Sequence, residues 1–230
     1  PYTTLFRSYL AFEQQASLLR TEDARGIAEA YRALYPTGTY YREIMYRMGR
    51  LLKREHRYQD AMKFLTDALK FGTADSIYTQ SLFHKAEILA YWGQTDQALG
   101  DLTLAMSKNP GEVLEAEGLF LKGKLYARRH DRVQSAQYLG QYISRYPERI
   151  RTREALRILA GDRNLGGVKS ALASQLNRDG IPSQVPLYYA YALQQENKSD
   201  SLLPALQRIK PGELDSLETA LYHQLRIEGS

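Results

Sequence analysis

Apolar residues fall on a single helical stripe in segment after segment. Between Gln80 and Tyr91, Leu82, Phe83, Ala86, Leu89 and Ala90 keep the three-to-four-residue spacing of one helix face and not the alternation of a strand. A polar break, Gly93-Gln94-Thr95-Asp96, follows. Gly93 suits the left-handed residue that closes a helix, and Thr95 suits a cap that opens the next. The second stripe carries Ala98, Leu99, Leu102 and Ala105, and Asn109-Pro110-Gly111 ends it. The same scheme then repeats. Leu119, Phe120, Gly123 and Tyr126 predict one helix; Asp131, with Gln134 three residues on, offers a cap for the next, which carries Ala136, Leu139, Tyr142 and Ile143.

This two-helix unit has a fixed length. Pro36, Thr73, Pro110 and Pro147 stand 37 residues apart, as do Phe12, Gly49, Ala86 and Gly123. Ala24, Ala61 and Ala98 keep the step, and Ala136 continues it with a slip of one residue. A period in this range marks a stacked repeat array, in which each unit covers the apolar face of its neighbour. Small residues at fixed places allow paired helices to approach closely.

Met45, Gly49, Leu52, Ala61, Leu65 and Ala68 form one copy of a pattern, and Leu82, Ala86, Leu89, Ala98, Leu102, Ala105 and Pro110 form the next. Together they resemble the tetratricopeptide repeat. The resemblance covers residues 9–148 and implies an all-α fold, a right-handed superhelical solenoid of antiparallel helix pairs. The chain departs from that family in two ways: its unit is 37 residues instead of the family's 34, and Lys85 and Lys122 stand where the family has leucine. Residues 149–230 continue with weaker helical hairpins, Thr152–Ala160 with Leu165–Leu176 and Pro186–Gln195 with Ser201–Ile209, then a last helix from about Glu213. Its expected apolar face is Leu217, Ala220, Leu221 and Leu225. Residues 1–8, Pro-Tyr-Thr-Thr-Leu-Phe-Arg-Ser, spell codon by codon an adapter oligonucleotide used in DNA sequencing. They are expected to be an artefact, with the true start, and a further domain at either end, lying outside this sequence.

Composition bounds the function classes. At 43% hydrophobic and 25% charged residues, the chain can bury a core. No window approaches the ~18 apolar residues of a membrane span. There is no cysteine, so disulfides, thiolate catalysis and cysteine metal sites are excluded within it. His56, His84, His130 and His223 show no metal-ligand spacing and read as surface or turn residues. Gly166-Gly167 lacks the lysine of a phosphate loop, and no serine sits in a nucleophile elbow. No cofactor and no catalysis are expected.

Three features could instead bind a partner. Tyr9, Tyr46, Phe83 and Phe120 share one repeat position, which in the resembled family lines the concave groove. An aromatic column there could grip a peptide, whereas inward rotation would make the two phenylalanines core; Tyr46 is the residue expected to stay in the groove. One turn on stand Arg50, Glu87 and Lys124, with Lys53 and Arg128 near them; the mixed signs argue against a simple anion track. An aromatic replaces the key lysine of the family's chaperone-tail clamp. Finally, Lys122 to Arg163 holds eleven cations against four acids in a chain of net charge +5. These cations are spread over several helices and match no nucleic-acid motif, so a solvated surface is the expected reading and nucleic acid is set aside as a partner.

The expectation is a protein–protein interaction scaffold holding a protein or peptide on its concave face. Helix ends on Tyr35-Pro36 and Tyr146-Pro147 are similar to those of bacterial envelope repeat proteins, namely outer-membrane assembly lipoproteins and Tol-Pal cell-division coordinators, which tilts the setting towards the envelope. The alternative is the helical accessory part of a larger enzyme, such as a soluble lytic transglycosylase, or of a multidomain regulator. Partner identity and oligomeric state are not legible in the residues.

Overall fold

The structure, a computed structural model, describes residues 2–72, 75–161, 165–196 and 202–229. Thr73, one of the residues marking the repeat step, lies outside them, as do Asp162 and Arg163. The described residues form helices and turns and no strand. The chain divides into two compact units, residues 1–118 and 119–230.

The first unit holds three helical hairpins: α1 (Tyr2–Ser17) with α2 (Thr21–Leu34), α3 (Tyr41–Arg54) with α4 (Tyr58–Leu69), and α5 (Ser76–Tyr91) with α6 (Thr95–Met106). The first helices of successive hairpins lie side by side, α1 on α3 and α3 on α5. Every helical residue of the two repeat copies read in the sequence is buried, from Met45, Leu52 and Leu65 at 0% exposure to Leu89 at 6%, and only Pro110, at the closing turn, is partly exposed. Gly49 explains the closeness of α3 and α4, because a Cβ there would lie 2.7 Å from Cγ of Leu65.

The second unit begins within α7 (Glu112–Arg128). It continues through α8 (Arg132–Arg145), α9 (Thr152–Gly161), a 3-10 turn at Leu165–Val168, α10 (Lys169–Gln175), α11 (Gln184–Gln195), α12 (Leu202–Leu206), a second 3-10 turn at Pro211–Glu213, and α13 (Ser216–Glu228). Gly123 repeats the Gly49 device: its Cβ would lie 2.5 Å from Cγ of Leu139.

The 37-residue step is visible in the backbone. The second helix of each hairpin starts at Thr21, Tyr58, Thr95 and Arg132, and the turn before it contains a left-handed residue at Leu19 (φ 57°), His56 (φ 62°), Gly93 (φ 76°) and His130 (φ 58°). Gly93 therefore has the expected conformation, and the other three positions hold it without glycine's freedom. The expected slip at Ala136 does not occur. Gly49 meets Leu65, and Gly123 meets Leu139, each sixteen residues on. The counterpart of Ala98 is therefore Ser135, fully buried with its Oγ lacking a hydrogen-bond partner. Alanine spacing misled because serine is nearly as small and packs in the same place.

Two cap expectations separate. Asp131 caps α8, accepting from the Gln134 amide at 3.1 Å. Thr95 does not cap α6; it is already the first helical residue, and Gln94 holds the cap position without a side-chain bond.

Candidate functional site

Tyr46, Arg50 and Lys53 recur every three to four residues along α3, so they share a side. The helices flanking α3 are α1 and α5, and polar bonds tie all three together. Arg47 donates to Glu13 of α1, Tyr46 donates to Gln80 of α5, and Lys53 donates to Glu87 of α5. Each pair is separated by 34 residues. That is one helical turn short of the repeat, so each bond joins one turn of a helix to the adjacent turn of the corresponding helix in the next hairpin. The two ion pairs among them are partly exposed and each contribute about 0–1 kcal/mol, so they fix the register of neighbouring hairpins more than they hold the fold.

The aromatic column is closed. Tyr46 is 5% exposed, Phe83 5% and Phe120 3%; Tyr9 is half-buried and stacks on Tyr40, with centroids 4.5 Å apart. The two phenylalanines thus lie in the core. Tyr46, expected to face the groove, is covered as well: the His84 ring stacks at 6.1 Å and 15°, and the Arg50 guanidinium lies 5.6 Å from its centroid. Burial pushes the Tyr46 pKa up, with Arg50 opposing. The packing of α5 is what decides this, because His84 and Gln80 occupy the space an open column would need.

The charges beside the column form a compact network. The Lys53 ammonium bonds Glu87 and lies 3.0 Å from Nδ1 of His84, which is itself 2.8 Å from Oε2 of Glu87. Nδ1 can accept from Lys53 or donate to Glu87, but not both at once. Burial opposes charge on Glu87, yet the His84 bond and the Lys53 ammonium outweigh it and hold its pKa below the usual carboxylate value. His84 is therefore part of the polar network between α3 and α5 and not a turn residue, unlike His56 and His130.

Arg50 is different. It is exposed, and with Arg47, Arg54, Glu13, Leu19 and Leu51 it lines a cleft of about 270 Å³. Arg47 is committed to Glu13 and Glu43. Arg54 is exposed and enters no ion pair among the described residues. Oε1 of Glu13 is buried without a hydrogen-bond partner. The cleft thus joins two open guanidinium groups, one spare acceptor and an aliphatic wall.

In the second unit, Phe120 lies under two cations. The Lys124 ammonium is 5.8 Å and the Arg151 guanidinium 5.0 Å from its centroid. Both also face Glu154, at 2.6 Å and 3.6 Å. Arg128 is exposed at the end of α7. Among the described cations of the stretch from residue 122, Lys124 and Arg151 pair with Glu154, Arg153 and Arg157 reach Glu218 at 3.2 and 3.3 Å, and Lys122 is buried against the Tyr138 ring. Reasoning from sequence missed Glu13, Arg47, Gln80, His84 and Arg54. The recurrent 34-residue separation of complementary polar residues was the signal available for the first three.

Among the described residues, no group of three histidines or carboxylates could hold a metal ion, and no helix is long and apolar enough to cross a membrane. No protein-family model matches the chain, and no curated protein does. Solved structures do. The C-terminal part of a TPR repeat-containing protein from Cytophaga hutchinsonii is similar with a TM-score of 0.64 at 13% identity, over 95% of this chain and 90% of that one. A tetratricopeptide repeat protein from Parabacteroides merdae is similar at 0.59 and 17% identity, over 96% and 86%. YrrB, described as a TPR protein with an unusual peptide-binding site, is similar at 0.58 and 11% identity, over 86% and 96%. At these identities the likeness is one of fold: an all-α helical-repeat array.

Proposed function

We propose that the chain is a non-catalytic interaction scaffold that holds a protein or peptide along the side of α1, α3 and α5. The cleft at Arg50 and Arg54 carries this reading. Two exposed guanidinium groups beside an aliphatic wall suit a segment that brings a carboxylate and an apolar side chain together. YrrB, by its description a peptide-binding protein of similar fold, supports a binding role for such a surface. Lys53, Glu87, Lys124 and Arg128 extend the expected contact set in their own units. Because the rings of Tyr46 and Phe83 are covered, they shape this surface from below, and Phe120 does the same for Lys124 in its own unit. The Tyr-Pro helix ends at Tyr35-Pro36 and Tyr146-Pro147 favour a bacterial envelope assembly as the setting.

A displayed random-peptide library, selected against the full chain and then against Arg50→Glu/Arg54→Glu, tests the proposal. Both residues are exposed, so the variant should keep the wild-type circular dichroism spectrum and melting temperature. Acid-containing peptides enriched by the wild type should lose at least tenfold in affinity for the variant. Equal retention of every enriched peptide would remove this cleft as the binding surface.

A further inference from the structure

A second cleft, of about 530 Å³, opens between the second helices of neighbouring hairpins in the first unit. Met62 on α4, Lys85 and Leu89 on α5, and Gly100 and Asp101 on α6 line it together with Trp92. It goes beyond the reading given for α1, α3 and α5, and shares no residue with the Arg50 cleft.

The neighbouring repeats show what such a place takes. Lys85 and Asp101 are sixteen residues apart, the separation of the Gly49–Leu65 and Gly123–Leu139 contacts, so their counterparts are Met48 with Phe64 and Lys122 with Tyr138. Met48 and Phe64 are buried, at 0% and 2% exposure. In the α7–α8 hairpin, the Lys122 ammonium lies 4.9 Å from the Tyr138 ring, and Tyr126, the counterpart of Leu89, stacks on that ring at 5.5 Å and 5°. One tyrosine ring therefore meets the lysine there, and a second stacks on the first. The α5–α6 hairpin has the lysine but neither ring, and Gly100 adds no side chain where the later hairpin has Gln137.

The polar pair left in the open cleft is incompletely matched. Oδ2 of Asp101 is buried without a hydrogen-bond partner, and its nearest cation, Lys85, stands 3.5 Å away. Burial raises the Asp101 pKa, with Lys85 only partly offsetting it. A neutral donor would relieve that carboxylate, while a cationic one would be repelled by Lys85.

We infer that this cleft binds a tyrosine side chain of a partner protein, its ring lodged against Leu89 and Trp92 over the Lys85 ammonium and its hydroxyl donating to the Asp101 carboxylate. The ring repeats the cation–π contact that Tyr138 makes with Lys122. Tyrosine combines apolar bulk with one donor at its tip, which is what the cleft lacks.

Trp92 is the chain's single tryptophan, so its emission under tryptophan-selective excitation reports on this cleft alone. The full chain is titrated with a capped pentapeptide, Ala-Ala-Tyr-Ala-Ala, and with its Phe and Ala analogues. The tyrosine peptide should produce a saturable change with a millimolar dissociation constant. The phenylalanine peptide should bind about tenfold more weakly through loss of the hydroxyl bond, and the alanine peptide should give no saturation. Asp101→Leu should equalise the tyrosine and phenylalanine peptides. Leu89→Tyr/Asp101→Tyr, which installs the rings of the later hairpin, should abolish binding of both with the circular dichroism spectrum unchanged. A flat titration with the tyrosine peptide, or equal responses to all three, overturns the inference. Either result leaves the Arg50 proposal intact, because Trp92 does not line that cleft.

Discussion

Two regions of the molecule hold helices together with different chemistry. In α3 to α6, the contacts between paired helices are aliphatic and small: Gly49 against Leu65 in one hairpin, and Ala86 and Leu102, both fully buried, in the next. In α9 to α13, a carboxylate sits at the junction. Glu218 is 1% exposed, pairs with Arg153 of α9 at 3.2 Å, and accepts from Arg157 of α9, from Gln184 of α11 at 3.2 Å and from the amide of Asp215, the cap of its own helix, at 3.2 Å. A regular apolar pattern makes a repeat visible in sequence. A polar junction makes the same kind of helix packing invisible, because buried charge obeys no hydrophobic period.

The largest expected effect lies on the apolar side. Leu102→Ala should destabilise the chain by about 2–5 kcal/mol, through lost burial and an unfilled cavity at a fully buried site. Urea denaturation followed by circular dichroism reads it as a lower midpoint at unchanged slope. A shift worth less than about 1 kcal/mol would mean that α6 can collapse onto α5, and the aliphatic contact would lose its assigned weight.

Glu218→Ala tests the polar side and ranks second, at about 3 kcal/mol. The figure sits at the low end for breaking a buried pair, because Arg153 and Arg157 keep side-chain exposures of 42% and 40% and stay partly solvated when the carboxylate is gone. The variant also loses the reciprocal half of the α13 capping box. Hydrogen exchange should show the α13 amides deprotected first. Protection in α13 equal to the wild type would place its docking energy in Tyr222 and Leu225 instead, the other two buried residues of that helix.

This contrast also sets how much could be read from the residues. The first hairpins, their step and the core positions of the two repeat copies followed from helical spacing, because those positions recur 37 residues later; Ile44, Met48, Phe64, Ile88 and Leu125, equally buried, were not read. The face of α13 followed only in part. Of the expected stripe, Leu225 is fully buried and Leu221 packs on the same core, yet Leu217 is 76% exposed and the buried side also runs through Glu218 and Tyr222. A carboxylate is assigned to the surface by any hydropathy argument, and only the two arginines on a helix some sixty residues earlier reverse that. The candidate site was half legible. The positions of Arg50 and Lys53 followed from the repeat, but the closure of the Tyr46 ring depends on His84 and Gln80, whose part is set by how the hairpins stack.

The smallest effect falls where the two chemistries meet in one residue. Lys122 occupies a place that Met48 fills in an earlier hairpin; it is 6% exposed, and its ammonium meets the Tyr138 ring and no carboxylate among the described residues. Burial lowers its pKa from the ordinary lysine value of 10.5. Removing the charge sacrifices a cation–π contact of about 0.5–2 kcal/mol but relieves a desolvation cost of several kcal/mol, so Lys122→Met should stabilise the chain by about 1 kcal/mol at neutral pH. The sign with pH is fixed. Between the lowered folded pKa and 10.5, the unfolded wild type holds more protons than the folded one, so wild-type stability rises with pH across that window. The methionine variant lacks this titration, and its advantage should therefore shrink from neutral pH towards pH 10.5 in paired urea melts. A variant less stable than wild type at neutral pH would show that the Tyr138 ring compensates the buried charge in full, and that the lysine strengthens its hairpin as the aliphatic pairs strengthen theirs.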